Sequence, residues 1–470
     1  MASIVNAVLE RENDDRPAIV GDGRTTSYRA LAELTRRLTE GLRRTVRPAE
    51  ADVCLVISHP GLEESLALTL AGWSLGLRVA VLPPYLKDRE LEFALAACEP
   101  VVKVSDVTPD GSGTLSFATL LQAPPGPVGD AAKDATHETF TSGTTGHPKC
   151  VDRPVSRLDA DIEQLVTATG LTADDRVTAM TTALSTTSVL PALVAGAAVV
   201  TVPVQSPRQF WQAIGEREIT VMSGTPYSYE LAVRRRPEPA QTKRVRLALT
   251  TSARLRPSTI HRLLSETGIA PRNIMCSSES GHIAFNASDD PEILATSVGR
   301  PLDGVEVEIR AEDGTVLPEG QEGRVCVRSP FTAVRYRNNA EESAAVFQGD
   351  WVVSTDIGYR DRDGFIRLTG RDDHKIYFGA AKLDPQEIED TLLRHPGVED
   401  VLVVGEDHDR LGQTPVARVV AAPGTSAEEL LGHCREQLSA TKIPQKIEFV
   451  SEIPKDFKGQ PKRPKYFRFE

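Results

Sequence analysis

The sequence lacks several features that would place it in a membrane, secreted or nucleic-acid-binding class. No apolar run reaches the roughly 18 residues that a membrane-spanning helix needs. The start, MASIVNAVLERENDD, has no basic stretch followed by an apolar one, so no secretory signal is predicted. The six cysteines have no CxxC or Cys/His spacing, which predicts neither structural disulfides nor zinc and favours a reducing cytoplasm. A formal net charge of -12 argues against general nucleic-acid binding.

The order of hydrophobic segments predicts an α/β protein with more than one domain, since 470 residues are too many for one hydrophobic core. In the first third, the buried strands ADVCLVIS, RVAVLPP and VVKVSD alternate with the helices SYRALAELTRRLTEGLRR and RELEFALAACEP. This βαβ order predicts helix-covered, mostly parallel sheets in a large N-terminal domain. The segments ALVAGAAVVTVP, ITVMSGTP and VRLALTTS are predicted to continue the strands.

The pattern changes twice in the second half of the chain. The segment VEVEIRAEDGTVLPEGQEGRVCVRSP has short alternating strands with Asp-Gly and Glu-Gly turns, which predicts an antiparallel β subdomain. From about residue 373, QEIEDTLLRHPGVEDVLVVGE and PVARVVAAPGTSAEELLGHCREQL predict the order helix, strand, strand, helix. A small α+β domain is therefore predicted at the C-terminus.

The segment TFTSGTTGHPKC, residues 139–150, carries the strongest local signal. Its glycines allow backbone N–H groups to surround an anion, its serine and threonine hydroxyls add donors, and Lys149 adds charge. It is not a Walker A loop, because Gly143 and Gly146 are too close together and KCVDRP is predicted to be a strand. A phosphate-binding loop and a polar hairpin turn both remain open on this pattern alone.

Five segments in the same order resemble the adenylate-forming superfamily of acyl- and aryl-CoA synthetases, nonribosomal peptide adenylation domains and luciferases. They are RPAIVGDGRTTSYRALAEL, TSGTTGHPK, SVGRPLDGVEVEI, DWVVSTDIGYRDRDGFIRLTGRDDHKI and LDPQEIEDTLLRHPGVEDVLVVG. The resemblance implies an enzyme that joins a carboxylate to the α-phosphate of ATP, releases pyrophosphate and passes the acyl group to a thiol. It implies ATP and Mg²⁺ as cofactors, with coenzyme A as a candidate acceptor.

The resemblance also implies roles for individual residues. The residues implied to bind the ATP phosphates are Thr141, Ser142, Gly143, Thr144, Thr145, Gly146, Lys149 and Arg371. Those implied to contact the ribose or adenine are Asp356, Thr251, Ser252 and Ser278. Glu279 would ligate Mg²⁺ and act in catalysis, since this hard cation favours carboxylate oxygen. A surface ion pair with Asp372 or Asp373 is the alternative for Arg371.

Asp373 aligns with the hinge about which the C-terminal domain of this family turns. The resemblance therefore implies an N-terminal adenylation core over residues 1–372 and a mobile C-terminal domain over residues 373–470. Two stretches of the predicted core depart from the family pattern. Met275 and Cys276 stand where an aromatic residue and a glycine are usual, and Thr251 and Ser252 replace glycines in the adenine segment.

The basic segment PKDFKGQPKRPK, residues 454–465, resembles the loop whose lysine reaches the α-phosphate in this family. Pro454 and Gly459 keep the frame of that loop, but Gln460 stands at the lysine position. Three interpretations stay open for this catalytic position. Gln460 is an introduced change, or Lys458 or Lys462 takes over the role, or the protein adenylates weakly or not at all. A solvated basic tail is the alternative that involves no catalysis.

The substrate is predicted to be an acyl or aryl acid and not an α-amino acid. Amino-acid-activating relatives have an aspartate eight residues before the proline that matches Pro191, and here that residue is Ala183. The predicted acceptor is CoA or the pantetheine thiol of a carrier protein. One alternative is an adenylate-forming ligase whose acceptor is a nitrogen nucleophile or whose activated group is another oxyacid. The other alternative is a catalytically impaired nucleotide-binding relative. We expect a cytoplasmic monomer or dimer without nucleic-acid or membrane partners.

Overall fold

The computed structural model describes sixteen stretches of the chain, and every structural statement below concerns them. They are residues 3–21, 23–46, 53–58, 61–82, 88–98, 101–105, 114–128, 135–141, 149–180, 184–204, 206–252, 255–374, 376–378, 381–408, 412–455 and 461. None of the described helices is long and apolar enough to cross a membrane.

The strands lie in four sheets. In chain order they are β1 (Pro17–Val20), β2 (Thr25–Ser27), β3 (Cys54–Ser58), β4 (Arg78–Val81), β5 (Val101–Ser105), β6 (Thr114–Ser116), β7 (Thr136–Thr141), β8 (Lys149–Pro154), β9 (Arg176–Ala179), β10 (Ala198–Thr201), β11 (Val221–Gly224), β12 (Leu247–Thr250), β13 (Pro271–Ser277), β14 (Gly281–Phe285), β15 (Arg300–Pro301), β16 (Glu306–Arg310), β17 (Gly323–Arg328), β18 (Arg335–Tyr336), β19 (Phe347–Gln348), β20 (Trp351–Arg360), β21 (Ile366–Arg371), β22 (Ile376–Phe378), β23 (Ala381–Leu383), β24 (Val398–His408), β25 (Gly412–Ala421) and β26 (Lys446–Phe449).

The α-helices lie between these strands. They are α1 (Ile4–Leu9), α2 (Tyr28–Thr45), α3 (Leu62–Ser74), α4 (Asp88–Cys98), α5 (Phe117–Leu120), α6 (Val155–Thr169), α7 (Val189–Ala195), α8 (Pro207–Glu216), α9 (Pro226–Ala232), α10 (Pro239–Thr242), α11 (Pro257–Thr267), α12 (Pro291–Thr296), α13 (Ala340–Val346), α14 (Pro385–Leu393) and α15 (Ala427–Gln437).

Two large sheets carry the predicted parallel organisation. One has the order β15-β14-β13-β12-β11-β9-β10-β1-β2, and its strands from β13 to β1 run parallel. The other has the order β18-β8-β7-β4-β3-β5-β6, with β7 to β6 parallel and β8 antiparallel to β7. The prediction of an α/β fold built from βαβ units is thereby confirmed.

Helix α2 shows why the sequence folds locally as it does. Ser27 caps its first turn by accepting a hydrogen bond from the Ala30 N–H, and Arg43 and Arg44 occupy its last turn, where cations interact favourably with the helix dipole. Tyr28 and Leu38 are fully buried on its apolar face. Burying each such side chain contributes about 1.5–3 kcal/mol to folding, so the helical spacing of apolar residues fixes which face packs inward.

One strand prediction needs correction at its start. In ALVAGAAVVTVP the strand is β10, which begins only at Ala198, because the first four residues end helix α7. Gly196 terminates that helix with φ 78, a left-handed conformation that glycine adopts without a Cβ clash.

The two smaller sheets have the orders β16-β17-β20-β19, with β21 paired to β20, and β23-β22-β25-β24, with β26 paired to β25. The β20–β21 and β24–β25 pairs are antiparallel. The C-terminal elements α14, β24, β25 and α15 follow the predicted order helix, strand, strand, helix. The mixed fold with antiparallel β elements and a small α+β module agrees with the prediction.

The chain forms two compact units. The first comprises Met1–Gly143, His147–Glu306 and Val327–Val352. The second comprises Thr144–Gly146, Val307–Cys326 and Val353–Glu470. The predicted division at residue 372 stays a prediction.

Candidate active site

The predicted phosphate loop connects the two strands of a hairpin. Strands β7 and β8 pair antiparallel, and Thr141 at the end of β7 lies opposite Lys149 at the start of β8. The predicted residues Ser142, Gly143, Thr144, Thr145 and Gly146 lie outside the described residues. Of the predicted loop set, the structure thus places Thr141 and Lys149 side by side at the hairpin tip.

Among the described residues, Lys149 has two partners at this tip. Its Nζ lies 2.8 Å from Glu342 Oε1 and 5.0 Å from the centre of the Tyr336 ring. Glu342 is held in turn by Asn339 at the start of α13, which donates an Nδ2 hydrogen bond to Glu342 Oε2 at 2.8 Å. The ammonium group is therefore fixed by an anion and an aromatic face, and only 13% of the side chain is exposed.

Glu279 lies in the three-residue turn between β13 and β14, directly after Ser278. Tyr336 Oη donates a hydrogen bond to Glu279 Oε1 at 2.8 Å. The backbone carbonyl of Glu279 accepts a hydrogen bond from the Ala333 N–H at 2.7 Å. Within the described part of the chain, no cation is paired with this carboxylate. It can therefore offer oxygen to a metal ion without first breaking an ion pair with any described residue.

Tyr336 connects two of the predicted site residues, and the sequence reasoning missed it. Its ring lies under the Lys149 ammonium while its hydroxyl contacts Glu279. An edge-to-face contact with Phe347, with ring centres 5.4 Å apart, fixes the ring. Its only signal in the sequence is one aromatic residue in the polar run RYRNNAEES.

A buried ion cluster lies beside the Glu279 turn. Asp161 on α6 accepts hydrogen bonds from Arg153 at 2.6 Å and from the His282 N–H at 2.9 Å. Burial tends to raise the pKa of Asp161, but the charges of His282 and Arg153 outweigh it and hold this pKa below its ordinary value. Gly281 has φ 79, and a Cβ there would lie 2.4 Å from the Arg153 guanidinium. The turn that carries Glu279 is thus anchored in the core.

The segment predicted to contact adenine lies at the end of β12. Thr251 Oγ1 lies 3.2 Å from Cys276 Sγ, so the two replacements of the family pattern contact each other. Ser252 has φ 78, a left-handed backbone that costs a residue with a Cβ roughly 1–2 kcal/mol. The position therefore keeps the conformation of a glycine although serine occupies it.

Replacing Ser252 by glycine should raise the free energy of unfolding by up to about 1 kcal/mol, because the strain is released while some backbone entropy is lost. Ser116, with φ -79, is the matched control. Ser116→Gly should lower the free energy of unfolding by a few tenths to about 1 kcal/mol. Denaturant unfolding of both variants measures the difference. Equal destabilisation by both changes would show that Ser252 is not strained.

The predicted ribose residue Asp356 pairs with the predicted phosphate residue Arg371. They lie opposite each other on β20 and β21, with Arg371 Nη1 3.1 Å from Asp356 Oδ1. Arg371 Nη2 also donates to Thr355 Oγ1 at 2.5 Å. Asp372 pairs with Arg324 instead, at 2.6 Å. The alternative of an ion pair with Asp372 or Asp373 stays open for Asp373, whose side chain is not described.

Other predicted residues lie partly or wholly outside the described structure. Asp373 belongs to a short 3-10 turn, and nothing is described of its side chain. Ala183, Lys458, Gln460 and Lys462 lie outside the described residues. Next to the C-terminal loop, Lys455 and Pro461 form an antiparallel bridge, and Lys455 Nζ lies 3.0 Å from Asp400 Oδ2.

Comparison with known proteins shows the family of this chain. The profile of the family described as AMP-binding enzyme matches residues 6–337, and that of the AMP-binding enzyme C-terminal domain matches residues 387–460. A feruloyl-CoA synthase from Amycolatopsis is 27% identical over 94% of both chains. The oxalate–CoA ligase of Arabidopsis thaliana is 28% identical over 81% of this chain and 79% of its own.

Solved structures show the same fold. The ATP-bound MatB of Rhodopseudomonas palustris superposes with a TM-score of 0.90 at 23% identity, over 98% of this chain and 97% of its own. An amide bond synthetase, McbA from Marinactinospora thermotolerans, gives a TM-score of 0.84 at 25% identity, over 97% of both chains. Because the first profile alone covers more than half of the chain, this protein belongs to the AMP-binding enzyme family.

Proposed function

We propose that the protein activates a carboxylic acid as its acyl-adenylate with ATP and Mg²⁺, releases pyrophosphate, and transfers the acyl group to the thiol of CoA. The observation that carries the proposal is the set of contacts around Tyr336, which brings Lys149 and Glu279 to one site. The Lys149 ammonium suits a phosphate chain, and the Glu279 carboxylate, which has no described cation partner, suits the metal ion that the phosphates carry. CoA ligases among the relatives support the acceptor.

The residues present fit Mg²⁺. The carboxylate of Glu279 is partly exposed and holds one hydrogen bond from a neutral phenol. When bound, Mg²⁺ would stabilise charge on the phosphates. Glu279 would hold the ion, and Lys149 would exchange Glu342 for a phosphate oxygen. Asp356 would accept hydrogen bonds from the ribose hydroxyls, and Arg371 would remain beside it to contact ribose or phosphate.

Acid-dependent exchange of labelled pyrophosphate into ATP tests the first step. A panel of acyl, aryl and α-amino acids should give exchange with an acyl or aryl acid and none with amino acids. Product analysis with and without CoA then tests the acceptor, and an amide formed with an added amine would contradict thiol transfer. ATP binding without exchange for any acid would mean that the protein is a nucleotide-binding relative without this activity.

Asp356→Ala should weaken ATP binding by about ten- to a hundredfold, because hydrogen bonds to a charged group contribute about 1.5–3 kcal/mol. Glu308→Ala is the matched control, since Glu308 pairs with Arg310 at 2.6 Å on β16 of the same sheet. Calorimetric titration with ATP and Mg²⁺ compares both variants with the parent. If the parent and both variants bind ATP with equal affinity, Asp356 does not contact the ribose.

We further propose that the chain divides into residues 1–372 and 373–470, with a hinge at Asp373. The support is the short 3-10 turn Asp372–His374 between β21 and β22. Limited proteolysis should cut the chain between Arg371 and Lys375, and added nucleotide should change the rate of this cleavage. We also propose the pantetheine thiol of a carrier protein as the alternative acceptor to CoA. The protein is proposed to be a monomer or dimer and to be located in the cytoplasm.

A further inference from the structure

Three of the six cysteines lie together in the core of the first unit. Cys54 lies on β3, Cys98 ends α4 and Cys150 is the second residue of β8, and all three are buried free thiols. The three side chains belong to one core cluster, and the sulfur atoms of Cys54 and Cys98 lie within 4.8 Å of each other. We call Cys54, Cys98 and Cys150 the thiol cluster.

Glu138 on β7 presents its two carboxylate oxygens to different neighbours. Oε2 accepts hydrogen bonds from Cys54 Sγ at 3.3 Å and from Cys150 Sγ at 3.6 Å. Oε1 pairs with the guanidinium groups of Arg78 and Arg337, the latter at 3.0 Å. The two arginines fix the carboxylate so that one oxygen points toward the sulfur atoms.

These separations match the edges of a tetrahedral metal site. With Zn–S bonds of about 2.3 Å and Zn–O bonds of about 2.0–2.2 Å, the edge between a sulfur and an oxygen ligand measures about 3.5 Å. The sulfur atoms of Cys54 and Cys98 and a Glu138 oxygen all lie within 4.8 Å of one another. We propose that Cys54, Cys98 and Glu138 form a binding site for a thiophilic divalent cation such as Zn²⁺, with two sulfur ligands and one oxygen ligand from the protein, whereas Cys150 groups with Glu138 and Asp152.

The surrounding charges favour such an ion. Arg78, Arg337 and the half-exposed Arg335 face Glu138 and Asp152, with Arg335 Nε 2.9 Å and Arg337 Nη2 3.0 Å from Asp152 Oδ2. Among the buried groups, Arg78 and Arg337 balance Glu138 and Asp152, whereas the Arg335 side chain is 56% exposed. A divalent ion with the two thiolates of Cys54 and Cys98 adds no net charge and keeps the buried sum at zero. Neutrality matters here because uncompensated charge is costly in a buried site.

The backbone around the cluster is also restrained. Arg78 Nη2 donates a hydrogen bond to the Cys98 carbonyl at 2.8 Å, and Cys54 and Cys150 lie within paired strands of one sheet. Ligands on β3, β7 and the end of α4 thus come from three separate elements that the fold already holds together. The competing explanation is that the thiols only pack and hydrogen-bond as small apolar groups.

The first test is a Cd²⁺ titration of the reduced full-length protein, followed by the thiolate-to-metal absorption in the ultraviolet. We expect one equivalent bound per chain. Cys98→Ala should weaken this binding by at least about tenfold. Cys434→Ala is the matched control, because Cys434 is equally buried but lies in the C-terminal unit, and it should bind Cd²⁺ like the parent. No absorption band, or equal binding by Cys98→Ala, would overturn the proposal.

The second test needs no substitution and therefore does not depend on the folding of a variant. X-ray absorption at the zinc edge of the Zn²⁺-loaded parent protein should show about two sulfur neighbours at about 2.3 Å together with oxygen at about 2.0–2.2 Å. A shell of nitrogen and oxygen alone would overturn the proposal. Neither measurement involves ATP, so the outcome is independent of the proposed ligase activity.

Discussion

Glu279→Gln should lower the rate of acyl-adenylate formation by about a hundred- to a thousandfold, the size expected when one charged group that stabilises the transition state is lost. Glutamine keeps the shape of the side chain and can still accept the hydrogen bond from Tyr336 Oη. It removes the negative charge that would hold Mg²⁺ against the phosphates. ATP affinity should change much less, because most of the proposed contacts to the nucleotide involve other residues. Single-turnover kinetics and ATP titration separate the two effects.

Two control variants test whether the effect is specific to the charge of Glu279. Tyr336→Phe removes the hydroxyl that donates to Glu279 and keeps the ring beside Lys149, so it should cost only about tenfold. Glu292→Gln changes a carboxylate that is 78% exposed on α12 and should leave the rate unchanged. If Glu279→Gln forms adenylate as fast as the parent, Glu279 is not the metal ligand and the motif alignment is wrong there.

Gln460→Lys should raise the rate of adenylate formation by about ten- to a thousandfold if Gln460 occupies the position of the catalytic lysine. Glutamine can donate hydrogen bonds to the α-phosphate but adds no charge, whereas lysine places a cation where negative charge shifts in the transition state. This prediction depends on the sequence frame of Pro454 and Gly459, because residues 456–460 lie outside the described structure.

Alanine substitutions of the neighbouring lysines test the other interpretation, in which Lys458 or Lys462 acts as the catalytic lysine. If Lys458 or Lys462 has taken over the role, Gln460→Lys should change little and Lys458→Ala or Lys462→Ala should slow the reaction. Lys455→Ala is the control, because Lys455 already pairs with Asp400 at 3.0 Å. Single-turnover adenylate formation with an acid that supports pyrophosphate exchange decides between them. If none of the changes alters the rate, this segment is a basic tail and not part of the site.

Hydrophobic periodicity predicted most of the fold because it directly reflects burial. The apolar spacing of residues 28–45 gave helix α2, and the apolar runs gave the parallel strands. The exception was the start of ALVAGAAVVTVP, where a short helix and a strand are both fully apolar. In such a run only the glycine that ends the helix separates them, and periodicity cannot distinguish a buried helix end from a buried strand.

The site was predictable where a motif is contiguous and not where residues meet only in three dimensions. Lys149 and Glu279 are found in local motifs, but their shared partner Tyr336 lies 57 residues beyond Glu279. The thiol cluster is a stronger case. Cys54, Cys98 and Cys150 lack every short spacing known for metal ligands. They meet because β3 and β8 belong to one sheet and α4 ends beside it.

The ion pair between Lys149 and Glu342 bears on how pyrophosphate leaves the enzyme. A partly buried lysine without a counter-ion would retain an anionic product strongly, since an unpaired desolvated charge is costly. Glu342, held in place by Asn339, offers a replacement carboxylate at 2.8 Å. If Lys149 binds phosphate as proposed, this carboxylate weakens the binding of ATP and pyrophosphate alike. On that proposal, the ion pair would favour rapid release of pyrophosphate over tight binding.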